Sequence, residues 1–540
     1  MNPCFRIWLA LCAAVMMGTT SEAARGVLSE DAKEHGKKLA QLYCGTCHIV
    51  PSPEIIDRNS WEVQVLPWMA AYLGIYDGFY KSNKLNAARA AGVAWSVPPL
   101  HPNDFNAIAA YYQLSATQFL YRTNQPATVF PTTSGFRMKR RTTTEGHVPA
   151  ATLVHVSKRD GRTFVGQELP ARLMIQRDPT LTNIVLLTNT IPVSMFETEE
   201  GIYFSDVGRM TPDYGPIGKV YHLPRKGDEF GEAKIVLDQL PRTGRIAPAD
   251  LNVDGRMDIL VCSFGFFGGE LAWYEGLVDG GHRKHVLFDR AGAVKAEARD
   301  LNGDGLPDVA VLMAQAMESM FFLYGDGRGG FIPERMFHQH PAFGYSDFEL
   351  ADFDGDGKTE VVTANGDLDY ETGARPYHGI RIYRGEAPMK EAYFLPMPGA
   401  YSVEVADFDG DGDLDLAAVS FTPGLGVIRT PRTVFLENVG DFKFQPWELP
   451  GGNDGRWFLL DSGDIDGDGD IDLFVGSLYN APGGTAASNH DISVVFGTVP
   501  YDTLLLENVF NESTPERIAF DRRAAVLGGS AAGYSLLPRR

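Results

Sequence analysis

Two residue patterns in this chain carry chemistry. Near the amino terminus, Cys44-Gly45-Thr46-Cys47-His48 sets two thiols three positions apart with an imidazole directly after the second. Thiols one helical turn apart can add to the two vinyl groups of a porphyrin, and the adjacent imidazole then falls beneath the iron. The pattern therefore reads as covalent attachment of a c-type haem through Cys44 and Cys47, with His48 as an axial ligand. A zinc site would need two further Cys or His ligands at close spacing, and none is evident. The second pattern is acidic: five segments of the form Asp-x-(Asp/Asn)-x-Asp-Gly-x-x-(Asp/Glu) begin at Asp250, Asp300, Asp352, Asp407 and Asp464. Oxygens at positions 1, 3 and 5 converge on a hard cation while Gly at position 6 permits the sharp turn, which suits Ca²⁺ better than the stricter octahedron of Mg²⁺.

A haem iron needs a decision about its sixth position. Met69, in Leu66-Pro67-Trp68-Met69, is the only methionine between Ala23 and Thr133 and is the candidate; His101, His35 and an open position are the rivals. Methionine opposite histidine raises the potential and suits electron transfer, whereas an open position suits gas or peroxide chemistry.

The elements that must position these residues follow from periodicity. Gly36, Leu39 and Tyr43 precede the thiols at helical spacing, and Phe105, Ile108, Ala109 and Tyr112 mark a later helix that starts at Pro102-Asn103-Asp104. This layout resembles class I cytochrome c domains, in which a glycine on the first helix lets the last helix cross closely over it. Each acidic segment is followed at once by an apolar run such as Asp258-Ile259-Leu260-Val261 or Asp472-Leu473-Phe474-Val475, and later by a second such as Phe321-Phe322-Leu323-Tyr324. Short β-branched and aromatic runs of this kind read as strands. The segments recur every 50 to 57 residues, so the region is a repeat array. Thr182 to Thr188 and Gly218 to Leu223 supply strand-like pieces for two further units without an acidic segment, making seven.

The acidic segment matches an EF-hand loop over its first six positions and then departs, with an acid at position 9 and no bidentate Glu at 12. It resembles the FG-GAP or VCBS repeats of integrin-α-like propellers. Carried over by position, that resemblance implies these calcium ligands: Asp250, Asn252, Asp254 and Asp258; Asp300, Asn302, Asp304 and Asp308; Asp352, Asp354, Asp356 and Glu360; Asp407, Asp409, Asp411 and Asp415; Asp464, Asp466, Asp468 and Asp472. About five Ca²⁺ are expected. The whole chain is similar to exported bacterial proteins that fuse a c-type haem module to VCBS repeats. The expected fold is mainly β: a seven-bladed β-propeller over 131–520 behind an all-α class I cytochrome c domain at 24–130, with a signal peptide at 1–23 and a tail at 521–540.

Composition bounds the function. Arg6, the apolar run from Ile7 to Met17 and Ser21-Glu22-Ala23 have the layout of a cleavable export signal, so the mature chain should be periplasmic or secreted, with no membrane span. Cys4 and Cys12 leave with that segment and two thiols belong to the haem pattern, so Cys262 stands alone in an apolar run and reads as an inert core thiol. A formal charge of -21 argues against nucleic acid as a partner. Four acids, Glu297, Glu349, Glu404 and Asp461, stand three residues before the loop aspartates; they read either as a partial carboxylate ring facing the propeller axis or as support for the loops. The polar insert from Asn365 to His378 reads as a solvated turn, with a loop-borne site as the alternative.

No catalytic constellation stands out. The expectation is a non-catalytic electron-transfer protein with an unidentified redox partner, the propeller serving as a docking or ligand-binding platform for a small molecule or glycan. Two alternatives stay open: a haem-linked dehydrogenase, although the tryptophan docking repeats of quinoprotein enzymes are missing, and an integrin-like adhesion module.

Overall fold

The structure is a computed structural model, and it describes residues 30–46, 48–75, 83–90, 92–118, 129–142, 149–177, 182–210, 215–265, 268–367, 375–421, 432–452, 454–478 and 501–512. The export signal, Cys47, residues 482–497 and the tail at 521–540 lie outside the described residues. Two compact units divide the chain, with the boundary between Leu120 and Tyr121.

In the first unit the helix Glu30–Tyr43 runs into a tight turn, Cys44–Thr46, and the helix Pro102–Ser115 packs against it. The later helix buries Phe105, Ile108, Ala109 and Tyr112, the residues that the apolar spacing singles out. Its N-cap is His101, whose ring nitrogen Nδ1 accepts the Asn103 N–H at 3.2 Å. Gly36 is buried where a Cβ would stand 2.2 Å from the Ala107 carbonyl oxygen, so only glycine permits this approach. Between them lie a π turn, Trp61–Val65, and the helix Leu66–Tyr72 that carries Met69.

The second unit is seven antiparallel sheets in a ring, a seven-bladed propeller. The innermost strands are Ala151–Val156, Pro192–Thr198, Thr243–Ala249, Ala293–Arg299, Tyr345–Ala351, Ala400–Ala406 and Trp457–Gly463, for blades 1 to 7. Each packs on the next, and the seventh packs on the first. In blades 3 to 7 the second strand follows the acidic loop directly, and all six residues of Asp258–Ser263, Asp308–Met313, Glu360–Asn365, Asp415–Ser420 and Asp472–Ser477 are buried. This is why those runs are continuously apolar rather than alternating: they are covered on both faces.

The core lies between blades. Leu260, Cys262 and Trp273 of blade 3 pack on Val309, Val311 and Phe321 of blade 4, and equivalent clusters join every neighbouring pair, including blade 7 to blade 1 through Phe474, Val154 and Val165. Fully burying one such side chain contributes about 1.5–3 kcal/mol, so each interface repeats a similar gain. The strand Phe136–Thr142, which the sequence places ahead of the first blade, pairs with Thr503–Asn508 and completes blade 7. A strand from before blade 1 thus closes the ring and leaves blade 7 with four strands, as in every other blade but the second, where the short strand Glu229–Phe230 adds a fifth.

Candidate functional site

The acidic loops join the first and second strands of blades 3 to 7, all at one end of the propeller. Their side chains first organise their own backbone. At position 1, Asp300 Oδ1 and Oδ2 accept the N–H groups of Gly303 (2.7 Å) and Gly305 (2.8 Å), and Asp407 does the same for Gly410 and Gly412. At position 5, Asp304, Asp356 and Asp411 each accept the N–H of position 7. The five position-6 glycines, Gly255, Gly305, Gly357, Gly412 and Gly469, hold φ between 79° and 98°, the left-handed region that a side chain disfavours.

The position-9 acids are buried and act as rivets. Asp258 accepts the Leu251 and Gly276 N–H groups, both at 2.9 Å; Asp308 accepts Leu301 (2.9 Å) and Gly325 (2.7 Å). Asp415 and Asp472 tie Phe408 and Ile465 to Asn438 and Asn508 in the same way, and Glu360 accepts the Phe353 N–H at 2.9 Å. Each rivet fixes the start of its loop, and in four blades it also fixes the third strand.

The ligand oxygens converge. One carboxylate oxygen from each of Asp352, Asp354 and Asp356 lies within 4.8 Å of the others, and the same holds for Asp407, Asp409 and Asp415 and for Asp464, Asp466 and Asp472. In the first two loops position 3 is an amide. Asn252 and Asn302 donate to Asp254 and Asp304, and Asn252 Oδ1 is a buried oxygen with no hydrogen-bond partner. Burial, with neighbouring carboxylates adding to it, pushes Asp415 up to about 8, Asp472 and Asp409 up to about 6, and Asp470 up to about 7. Clustered oxygen donors that resist ionisation next to one another fit a divalent cation, whose charge would reverse that resistance.

The four acids preceding the loops stand on the innermost strands, where their polar partners are other innermost-strand side chains. Lys295 of blade 4 reaches blade 5, with Nζ 2.5 Å from Glu349, 3.4 Å from Asp347 and 3.4 Å from Glu297 on its own strand. Arg245 of blade 3 lies 3.8 Å from Asp347 two blades away, which these strands can do only by converging on the axis. Ser402 of blade 6 donates to Asp347 (2.8 Å), and Ser462 of blade 7 donates to Glu404 (2.8 Å). His155 of blade 1 meets Asp461 of blade 7 at 3.0 Å and Glu197 of blade 2 at 3.4 Å. The carboxylates hold its imidazolium, pushing it up to about 9 against the burial that opposes this. Sequence reading missed His155, Arg245, Lys295 and Asp347, because basic residues facing an acidic ring have no fixed spacing from it.

In the first unit His48 follows the Cys44–Thr46 turn, and its Nδ1 lies 2.8 Å from the Ile49 carbonyl oxygen. A carbonyl only accepts, so Nδ1 carries the proton and Nε2 keeps its lone pair, the state a metal-ligating imidazole needs. Cys44 is half-buried, and Cys47 lies outside the described residues. Met69 is half-buried in its helix, one turn beyond the π segment Trp61–Val65, a kind of irregularity that often marks functional positions. Of its rivals, His101 spends its Nδ1 lone pair on the helix cap and His35 is exposed. Nearby, Trp61 stacks on Tyr112 with centroids 4.1 Å apart, and Tyr112 donates to the Pro51 carbonyl at 3.1 Å.

The two ends of the insert after Asn365 are packed rather than solvated, and its body, residues 368–374, lies outside the described residues. Asn365, Arg375 and His378 are buried, and Asn365 Nδ2 donates to the Phe343 and Tyr377 carbonyls, both at 3.0 Å. Cys262 is buried, and burial pushes its thiol up to about 12, as an inert core residue requires.

Residues 300–363 match the FG-GAP-like repeat model, a stretch that begins on the second acidic loop and ends in the strand after the third. A ligand-binding or docking module is what such a propeller suggests. No curated protein matches the chain. Among solved structures, the chain is similar to an S. cerevisiae complex of Dbp5 with Nup159 and Gle1, at 10% identity over 71% of this chain and 97% of that one, TM-score 0.40. The V. cholerae biofilm matrix protein Bap1 matches at 11% identity over 71% of this chain and 92% of that one, also at TM-score 0.40. The propeller assignment rests on the strand pairing given above.

Proposed function

We propose that this is an exported c-type haem protein for electron transfer, whose calcium-binding propeller serves as the docking or ligand-binding platform. The observation that carries the haem reading is the His48 hydrogen bond to Ile49, which leaves Nε2 available to iron directly after the paired-thiol motif. The Gly36 crossing supports it, as does the apolar surface at Leu42, Ile49, Val63, Trp95 and Val97, which are 41–74% exposed and which a porphyrin would help to cover. Cys44 and Cys47 would hold the group covalently, and His48 and Met69 would ligate it. Held in this way, the group would supply one-electron transfer. The chain's own part is to orient the imidazole through Ile49 and to pack the helices of this unit around the group.

In the propeller, the five loops would bind about five Ca²⁺ through the oxygens at positions 1, 3 and 5, with the rivet acid at position 9 completing the set. The ions would lock one end of the wheel, while the connectors between second and third strands gather at the other end and offer a face for a redox partner, a small molecule or a glycan. Removal of residues 1–23 would deliver the protein to the periplasm or the medium. Among the described residues, no helix is long and apolar enough to cross a membrane.

The test is the optical spectrum of the reduced full-length protein with and without carbon monoxide. A haem closed by His48 and Met69 gives a c-type spectrum that carbon monoxide leaves unchanged, and Met69→Ala makes it responsive. A protein without Soret absorption overturns the haem reading, and an unchanged Met69→Ala spectrum overturns the ligand assignment.

A further inference from the structure

We propose that the five loops form a graded series of calcium sites, with the Asp407 loop filling first and the Asp250 and Asp352 loops filling last, because basic side chains of this chain already neutralise them. The inference rests on the calcium reading above and concerns how the sites differ. In the first loop, Arg256 at position 7 pairs with Asp254 through Nη2, while its Nε donates to the Gly276 carbonyl at 2.6 Å and so fixes the guanidinium beside the loop. Asn252 Nδ2 donates to the same Asp254 oxygen at 3.0 Å, and Asp254 Oδ1 accepts the Arg256 N–H at 2.9 Å. Both oxygens of this ligand are engaged. In the third loop Asp354 is paired at 3.1 Å by Arg384, which comes from the strand Gly379–Arg384 and is braced 4.5 Å from the Phe442 ring centroid of blade 6.

The fourth loop is the opposite case. Asp407, Asp409, Asp411, Asp413 and Asp415 bring five acids, and among the described residues none of them makes an ion pair. Oxygens of Asp407, Asp409 and Asp415 already lie within 4.8 Å of one another. The fifth loop has as many acids, but Lys139 Nζ stands 4.0 Å from Asp466. The second loop has three acids and an amide, with no ion pair among the described residues. Calcium affinity rises with ligand charge and site rigidity, and an ion entering a loop that holds a salt bridge must displace it. The order is therefore set by the chain's own arginines as much as by the shared acidic motif.

The experiment is calcium titration of the full chain after chelator stripping, read by calorimetry with bound metal counted by elemental analysis. One tight ion followed by weaker classes is expected. R256A and R384A should each tighten a weak site about three- to ten-fold, the worth of a partly exposed ion pair, and leave the tight class unchanged. These side chains are 38% and 43% exposed, so the variants should keep the fold. D409N combined with D411N should remove the tight class. Five sites of equal affinity, or arginine variants with unaltered titrations, would overturn the grading while leaving calcium binding intact. A protein that binds no calcium at all would overturn both.

Discussion

At the scale of single residues, the axis of the propeller is where charge is least well matched. Glu404 accepts a hydrogen bond from Ser462 and makes no ion pair among the described residues, and burial, aided by Asp461 and Glu349, holds its carboxyl well above the usual range. Glu349 is pushed up to about 7 by burial even though Lys295 pulls the other way. Acids raised in the folded state stabilise it below their ordinary range, and that contribution is lost as pH rises through their folded values. Glu404→Gln should therefore raise thermal stability by about 1–2 kcal/mol at pH 8, with the gain vanishing near pH 4 in melting curves. Asp461 behaves oppositely: His155 holds it low, so its contribution is present above the usual carboxylate range and fades on acidification. Cys262 should stay unmodified by a thiol reagent in the native protein and react only after denaturation.

At the scale of elements, the acidic loop divides into two functions that mutation can separate. The acids at positions 1, 3 and 5 face a prospective ion, whereas the buried position-9 acid, besides reaching toward that ion, joins loop to sheet through backbone N–H groups. Asp308→Ala removes hydrogen bonds to Leu301 and Gly325 and should cost about 2–4 kcal/mol even without calcium, and more with it; Asp304→Asn should lower the melting temperature only when calcium is present. In the first unit, Gly36→Ala forces a Cβ against the Ala107 carbonyl and should destabilise the helix crossing by about 1–3 kcal/mol in circular dichroism melts. These elements were legible in the sequence because each leaves a local mark: the period of five aspartate motifs, buried runs after them, and apolar spacing at Phe105, Ile108, Ala109 and Tyr112. The residues that meet across the axis were half legible. The four acids share an offset from the loops, but Lys295, Arg245 and His155 become neighbours only when strands from different blades converge. The ends of the insert before His378 misled for a related reason: Asn365 is tied to backbone carbonyls of Phe343 and Tyr377, and composition alone cannot register such contacts.

At the scale of the whole molecule, closure of the ring depends on a strand that precedes the first blade. Nothing periodic marks Phe136–Thr142, and its role follows from pairing with Thr503–Asn508 and from Arg137, which bridges Glu507 at 2.7 Å and Glu512 at 3.0 Å. A chain beginning after residue 142 should open blade 7, bind a hydrophobic dye and unfold at markedly lower denaturant concentration. Chelation of calcium should lower the melting temperature of the second unit, and Mg²⁺ should restore it less well than Ca²⁺. The central claim is that a tethered haem and a calcium-bound propeller share one exported chain. The measurement that meets it most directly is the intact mass of the exported protein, taken under native and then denaturing conditions. The account predicts a polypeptide shortened by the export segment, carrying one haem that survives denaturation and about five calcium ions that do not; a mass equal to the bare polypeptide under both conditions would contradict it.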